Sequence, residues 1–182
     1  ASALGSNLIL LNSISKRFPN GLGNDSGLLG KFMAFHNYRG KISAQFDGLK
    51  DSTTDGRRPT SSFMPRFKNI HKQDADFLRG YNTLINSNRS TLVNNNAWGK
   101  DLKESLLKRE LGDWQITAQM MGETIPKEAN VVYLDAVKKD KYGLPQLHAS
   151  VEYDENDEKM LQDFFKEFTE MFEKAGYTNI KQ

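Results

Sequence analysis

Several stretches of this chain hold residue types that do chemistry in other proteins, and each is decided by its spacing. Gly27-Leu-Leu-Gly30-Lys31 has the glycines and lysine of a phosphate-cradling loop. That loop needs Gly five residues before its Gly-Lys pair and Ser or Thr after it to reach magnesium. Here those positions are Asp25 and Phe32. Gly21-Leu-Gly23 lacks the third glycine of a dinucleotide fingerprint, because position 26 is Ser, and no strand pattern precedes it. Asp154, Asn156 and Glu158 have the odd spacing of a calcium loop. The glycine such a loop needs is Lys159, and an apolar helical pattern follows at once, so helix capping is the simpler reading. His36, His71 and His148 are too scattered for a paired metal-ligand motif. No Gly-x-Ser-x-Gly elbow exists for a serine hydrolase. With no cysteine, thiol nucleophiles, disulfides, thiolate metal sites and iron–sulfur clusters are excluded. By residues alone no catalytic constellation is complete.

The elements that must carry any site read as α+β. Leu4, Leu8 and Leu11 recur at helical spacing and predict a short buried helix over residues 2–13. Ser26 is a candidate cap for a second short helix over Leu28–Phe32. From His36 the period changes to two, and a strand runs through Tyr38, Ile42, Ala44 and Phe46. A polar linker (50–60) follows, then strands over Ser62–Phe67 and Phe77–Ile85, with a polar loop at Asn94–Asn96. Leu102, Leu106, Leu107 and Leu111 predict a helix ended by Gly112. Trp114–Met121 alternates: Trp114, Ile116, Ala118 and Met120 face one way, Gln115, Thr117, Gln119 and Met121 the other. Val131–Leu134 and Gln146–Tyr153 are further strands around a turn at Lys138–Gly143. The last pattern is the strongest. Asp154 caps a helix with Glu155, Asp157 and Glu158 in its first turn and a stripe of Met160, Leu161, Phe164, Phe165, Phe168, Met171 and Phe172, ended by Gly176. The expected fold is therefore α+β, a mainly antiparallel sheet of about five or six strands with helices packed on one face.

The 182 residues are 37% hydrophobic and carry 25 Lys and Arg against 23 Asp and Glu, a net charge of +2. A chain of that length and composition builds a real core. Its near-neutral balance makes no electrostatic case for nucleic acid. The basic cluster Arg57, Arg58, Arg66, Lys68 and Lys72 has few aromatic residues between and reads as a solvated loop. No apolar run is long enough for a membrane span. The chain starts Ala1-Ser2-Ala3, without Met or a signal-peptide flank, and the expectation is a processed or excised piece. The compartment, cytoplasmic or periplasmic, stays open.

Taken in order, five stretches resemble the glucose–methanol–choline (GMC) flavoprotein oxidoreductases. Residues 1–13, Ala-Ser-Ala-Leu-Gly-Ser-Asn-Leu-Ile-Leu-Leu-Asn-Ser, are similar to the family's second signature, with Ile14 where Gly is usual. Residues 26–36 resemble its Gly-x-x-Leu-x-Asp-His stretch, with Phe35 at the acidic position. Phe77-Leu-Arg-Gly-Tyr81 resembles a stretch of bacterial members. Met121–Leu134 resembles the Pro-x-x-x-Asn-x-Val-x-Leu segment, above all in the pyranose-oxidase-like branch. Lys139-Asp-Lys-Tyr-Gly-Leu-Pro145 continues the pattern into a strand and the long helix.

The resemblance implies that residues 31–182 are a substrate-binding domain and residues 1–30 a remnant of the flavin-binding domain. In such enzymes FAD accepts hydride from an alcohol carbon while a His takes the hydroxyl proton. The Gly-x-Gly-x-x-Gly unit and the catalytic-His segment flank this region and are not in the chain. Neither His36 nor His148 matches that His. The implied parent is thus an FAD-dependent alcohol or sugar oxidoreductase, and this piece alone is expected to be inactive and to bind no FAD. Its implied partners are the small-molecule substrate and the parent's own flavin-binding domain, with no nucleic acid. By the same resemblance Glu123 matches a substrate-facing position. Gln119 shares its strand face, and Tyr81, Arg66 and His148 are candidates from strand location. The competing reading is a non-catalytic carbohydrate-binding or protein-interaction module.

Overall fold

The computed structural model describes residues 2–53, 56, 61–91, 96–108 and 110–182. Arg57 and Arg58 of the basic cluster, part of the 50–60 linker, and Asn94 and Asn95 of the expected loop lie outside them. The chain forms two compact units, residues 37–122 with 155–182 and residues 1–36 with 123–154.

The larger unit is organised by the C-terminal helix α3 (Glu155–Lys174). Met160, Phe164, Phe168 and Phe172 recur every fourth residue and are almost wholly buried. Each such side chain contributes roughly 1.5–3 kcal/mol on burial. Acidic residues in the first turn and Lys174 in the last complement the helix dipole. The helix ends in a Schellman motif. Gly176 takes φ 81°, its N–H donates to Glu173 O (3.0 Å), and Tyr177 N–H donates to Phe172 O (2.9 Å). The Tyr177 ring then packs on Phe172 and Phe46, both at 5.4 Å.

Beneath α3 lies a six-stranded antiparallel sheet. Its order is β3 (Ser62–Met64), β4 (Tyr81–Thr91), β5 (Leu111–Glu123), β2 (Lys41–Phe46), β8 (Thr178–Lys181), with β1 (His36–Asn37) also pairing β5. Ile42 and Ala44 of β2, Tyr81 of β4, and Ile116, Ala118 and Met120 of β5 meet the helix stripe and form the core with Phe77. Gly40 lets the chain enter β2 beneath α3: a Cβ there would lie 2.7 Å from Phe164 Cδ1 and 2.8 Å from Met120 Cβ. The alternation expected for β5 and the stripe expected for α3 are both present, and the fold is α+β with a mainly antiparallel sheet.

In the smaller unit, α1 (Ala3–Asn12) packs on a hairpin of β6 (Val131–Lys139) and β7 (Pro145–Ser150), with Leu134 opposite Leu147. Gly30 runs beside β6: Val132 N–H donates to its carbonyl (2.7 Å), and a Cβ on Gly30 would meet Val132 O at 2.1 Å.

Several expected elements differ. Residues 28–32 form turns instead of a helix, because Gly27, Gly30 and Phe32 all take positive φ, which an α-helix does not allow. The first helix forms but buries none of its residues. Helix α2 (Gly99–Lys108) stops before Leu111, and Gly112 lies in β5 instead of ending the helix. The third strand begins at Tyr81, not Phe77, and runs on through polar residues. Strands Val131–Lys139 and Pro145–Ser150 pair with each other in a separate sheet from Trp114. No helix among the described residues is long and apolar enough to cross a membrane.

Candidate functional site

Because α3 covers one face of the large sheet, chemistry on that sheet belongs to the other. Strand parity fixes who is there. With Ile116, Ala118 and Met120 in the core, β5 presents Gln115, Thr117, Gln119 and Met121 to the opposite side. Pairing then builds rows across the strands. Phe63, Leu84, Gln119 and Lys41 form one; Asn86, Thr117 and Ser43 the next; Asn88, Gln115 and Gln45 the third. Asn82 stands opposite Met121. The result is an apolar corner of Phe63, Leu84 and Met121 beside a field of amides and hydroxyls.

Side-chain amides suit such a surface because each offers two donors and a carbonyl acceptor, so they take a hydroxyl in either sense. They are also held in place. Gln119 Nε2 donates to Tyr38 O (2.7 Å) and Gly40 O (2.9 Å), which fixes the turn entering β2. Asn82 Oδ1 accepts from Arg66 N–H (3.0 Å). Asn179 Nδ2 donates to Gln45 Oε1 (2.6 Å). Gln45, Gln115, Asn179 and Lys181 line a shallow cleft of about 130 Å³. Ligand pockets usually enclose about 300–1,000 Å³, and this cleft is smaller.

The five residues singled out from sequence are dispersed. Gln119 lies on the open face. Arg66 sits at its edge with its side-chain stem across Gly80, where a Cβ would meet Arg66 Cδ at 2.1 Å. Tyr81 is on the other side, 4% exposed, its hydroxyl donating to Asp163 Oδ2 (2.9 Å) and its ring edge-on to Phe67 and Phe164. Burial, and then the Asp163 charge, push its pKa well above the ordinary value. Tyr81 is a core residue and does not share a face with Gln119. Glu123 is the exposed last residue of β5 and belongs to the smaller unit. His148 lies on β7 of that unit, against Tyr133 at 5.0 Å. Asn86, Asn88 and Asn82 were missed. Their signal was present, since Asn82, Leu84, Asn86 and Asn88 alternate, but Phe77 and Leu78 drew the expected strand toward its N-terminal side.

The remaining motifs have structural uses. Lys68 Nζ bridges Asp163 (2.5 Å) and Glu167 (2.7 Å). Asn156 pairs with the Leu78 backbone, Glu158 with Arg39 and Asp154 with Lys127. Among the described residues no group of three His, Asp or Glu could hold a metal ion. Gly21 packs on the α1 backbone, where a Cβ would come 2.9 Å from Leu10 O.

No protein-family model matches the chain. A curated protein, 2-methyl-1,2-propanediol dehydrogenase of Mycolicibacterium austroafricanum, is 28% identical to it over 170 residues. The chain is similar to part of a dehydrogenase. The alignment takes in 86% of this chain and spans only 29% of that relative's length.

Proposed function

We propose that this chain is the substrate-binding part of an FAD-dependent oxidoreductase of the GMC type, acting on alcohols or sugars. The observation that carries the reading is the alignment of nearly the whole chain with under a third of a dehydrogenase. The open sheet face supports it, because an apolar corner beside rows of amides and hydroxyls matches a small molecule with a carbon body and several hydroxyls. The sequence carries no Gly-x-Gly-x-x-Gly unit, so this reading assigns the flavin to the rest of a longer polypeptide. What this chain contributes is orientation. Asn86, Asn88 and Gln115 hold substrate hydroxyls, while Phe63, Leu84 and Met121 cover the carbon skeleton.

The test is to express the longer polypeptide containing these residues and measure flavin absorbance and turnover of a branched 1,2-diol and of aldoses with an artificial electron acceptor. Turnover by a yellow protein is expected, with none from the 182-residue chain alone. In that polypeptide Asn86→Ala removes one hydrogen bond, about 0.5–1.5 kcal/mol, and raises KM roughly two- to twelve-fold. A colourless polypeptide that binds sugar without oxidising it sinks the enzyme reading and favours a carbohydrate-binding module.

A further inference from the structure

Two lysines stand on the open face of the large sheet, and the strand register puts both beside one serine. Lys181 of β8 lies directly opposite Ser43 of β2, and Lys41 precedes Ser43 by two residues on the same strand. Opposed residues share a face, as do residues two apart, so both lysines belong to the side that carries Thr117 and Gln119. The row through Asn86, Thr117 and Ser43 therefore ends in Lys181. Opposed side chains start roughly 5 Å apart and diagonal ones about 7–8 Å apart. One oxyanion above Ser43 is then within reach of both ammonium groups and of the Ser43 and Thr117 hydroxyls.

The charge there is unbalanced. The rows of the open face hold no carboxylate. Among the described residues Lys41 and Lys181 have no ion-pair partner, whereas Lys68, Lys127, Lys159 and Lys174 each have one. Asp47 and Asp113 lie two residues beyond Gln45 and Gln115, and Lys50 answers both. Ser43 and Thr117 are half-buried, and their hydroxyls make no hydrogen bond to another described residue.

Strand β8 adds a recess beside these groups. Between Thr178, opposite Gln45, and Lys181, opposite Ser43, it carries one extra residue, a bulge in which Asn179 takes φ 52°. The Asn179 amide meets Gln45 Oε1, and Ser43 and Lys181 line the cleft of about 130 Å³ next to that pair. That volume is below the usual range for a whole ligand. It suits one ionised group, with the rest of the molecule lying along the row toward Asn86. Three strand spacings of about 4.8 Å make that row roughly 14 Å long, enough for a six-carbon chain and its partners at both ends.

We propose that the β2–β8 side of the open face is an anion subsite, where Lys41, Lys181, Ser43 and Thr117 hold a carboxylate or phosphate borne by a polyhydroxylated small molecule. This rests on the reading of the face as a substrate surface and narrows the substrate class to acidic polyols. It does not depend on a flavin.

Calorimetry on the full-length polypeptide containing these residues tests it with gluconate, glucose 6-phosphate, glucose and inorganic phosphate. Gluconate or glucose 6-phosphate is expected to bind at least about tenfold more tightly than glucose, and to weaken as salt rises from about 20 to about 200 mM. Which of the two binds tells carboxylate from phosphate. Lys41→Gln and Lys181→Gln are each expected to weaken that binding roughly fivefold or more. Lys166→Gln makes the same charge change on an exposed residue of α3, across the sheet, and is expected to leave it unchanged. Melting temperatures show that the variants are folded. Equal affinity for glucose, or no binding of either acid, overturns the proposal. So does equal weakening by Lys166→Gln, which means diffuse attraction to a basic surface. Inorganic phosphate binding as tightly as the acids overturns it too, because the polyol then contributes nothing. Turnover separates the two readings. A polypeptide that binds gluconate through Lys181 without oxidising any alcohol refutes the enzyme reading alone, and one that oxidises aldoses without binding acids more tightly refutes this inference alone.

Discussion

Tyr81 and Thr83 stand two residues apart on β4, both buried under α3, and differ by one hydrogen bond. The Tyr81 hydroxyl reaches Asp163, whereas Thr83 Oγ1 has no partner among the described residues. Tyr81→Phe therefore costs about 1 kcal/mol at neutral pH. Thr83→Val keeps the shape and removes an unmet polar atom, so it is neutral or stabilising by up to about 2 kcal/mol. Urea melts check both; a Thr83→Val protein clearly less stable than the parent shows that the hydroxyl has a partner. The two ionisable groups on Asp163 also set an alkaline limit. Burial raises the Tyr81 pKa above 10.0. Burial pulls Lys68 down, but its bonds to Asp163 and Glu167 outweigh that and leave it above 10.5. In each case the folded state holds its proton longer than the unfolded state. Stability is thus full below about pH 10 and falls as pH rises beyond it. Tyr81→Phe is expected to flatten that fall, and an unchanged slope between pH 10 and 11 counts against the assignment.

At the scale of elements, Phe164 is the centre of α3's contact with the sheet, 4.7 Å from Phe168 and 5.7 Å from Tyr81. Phe164→Ala leaves a cavity costing about 3–5 kcal/mol. Gly40→Ala forces a methyl group against the same ring and costs about 1–3 kcal/mol. Equilibrium unfolding reads both, and a silent Gly40→Ala means β2 enters the sheet by another route. These elements are also the ones legible in sequence. A fourfold aromatic repeat and a strict alternation in β5 state which face is buried without reference to anything distant. The short β8 could not be read that way: it has one half-buried residue, Ile180, and it exists because Tyr177 is drawn back onto Phe172. Strand β4 was misplaced for a related reason. Phe77 is buried in the core without being in a strand, and the residues from Tyr81 on are aligned by backbone pairing with β3 and β5. The open face was half legible: β5's alternation gave Gln119, while the rows beside it depend on a pairing register that no local pattern encodes.

Over the whole molecule the two units are unequally built. Every residue of the buried core cluster lies in the larger unit, whereas among the described residues of the smaller one the buried apolar side chain is Val132. That unit is tied instead by polar links. Thr124 Oγ1 donates to Phe35 O (2.6 Å), and Asn130 holds Glu152 through N–H to Oδ1 (2.9 Å). Net stability per hydrogen bond is about 1 kcal/mol, so a unit resting on a few of them opens at low cost. The 182-residue chain is therefore expected to melt in two steps, the smaller unit first. Val132→Ala should shift the first step downward and leave the second in place, and Phe164→Ala should do the reverse. Circular dichroism with native-state hydrogen exchange resolves the two, since β6 and β7 belong to one step and β2, β5 and α3 to the other. A single transition moved equally by both substitutions would mean that the units fold as one cooperative body.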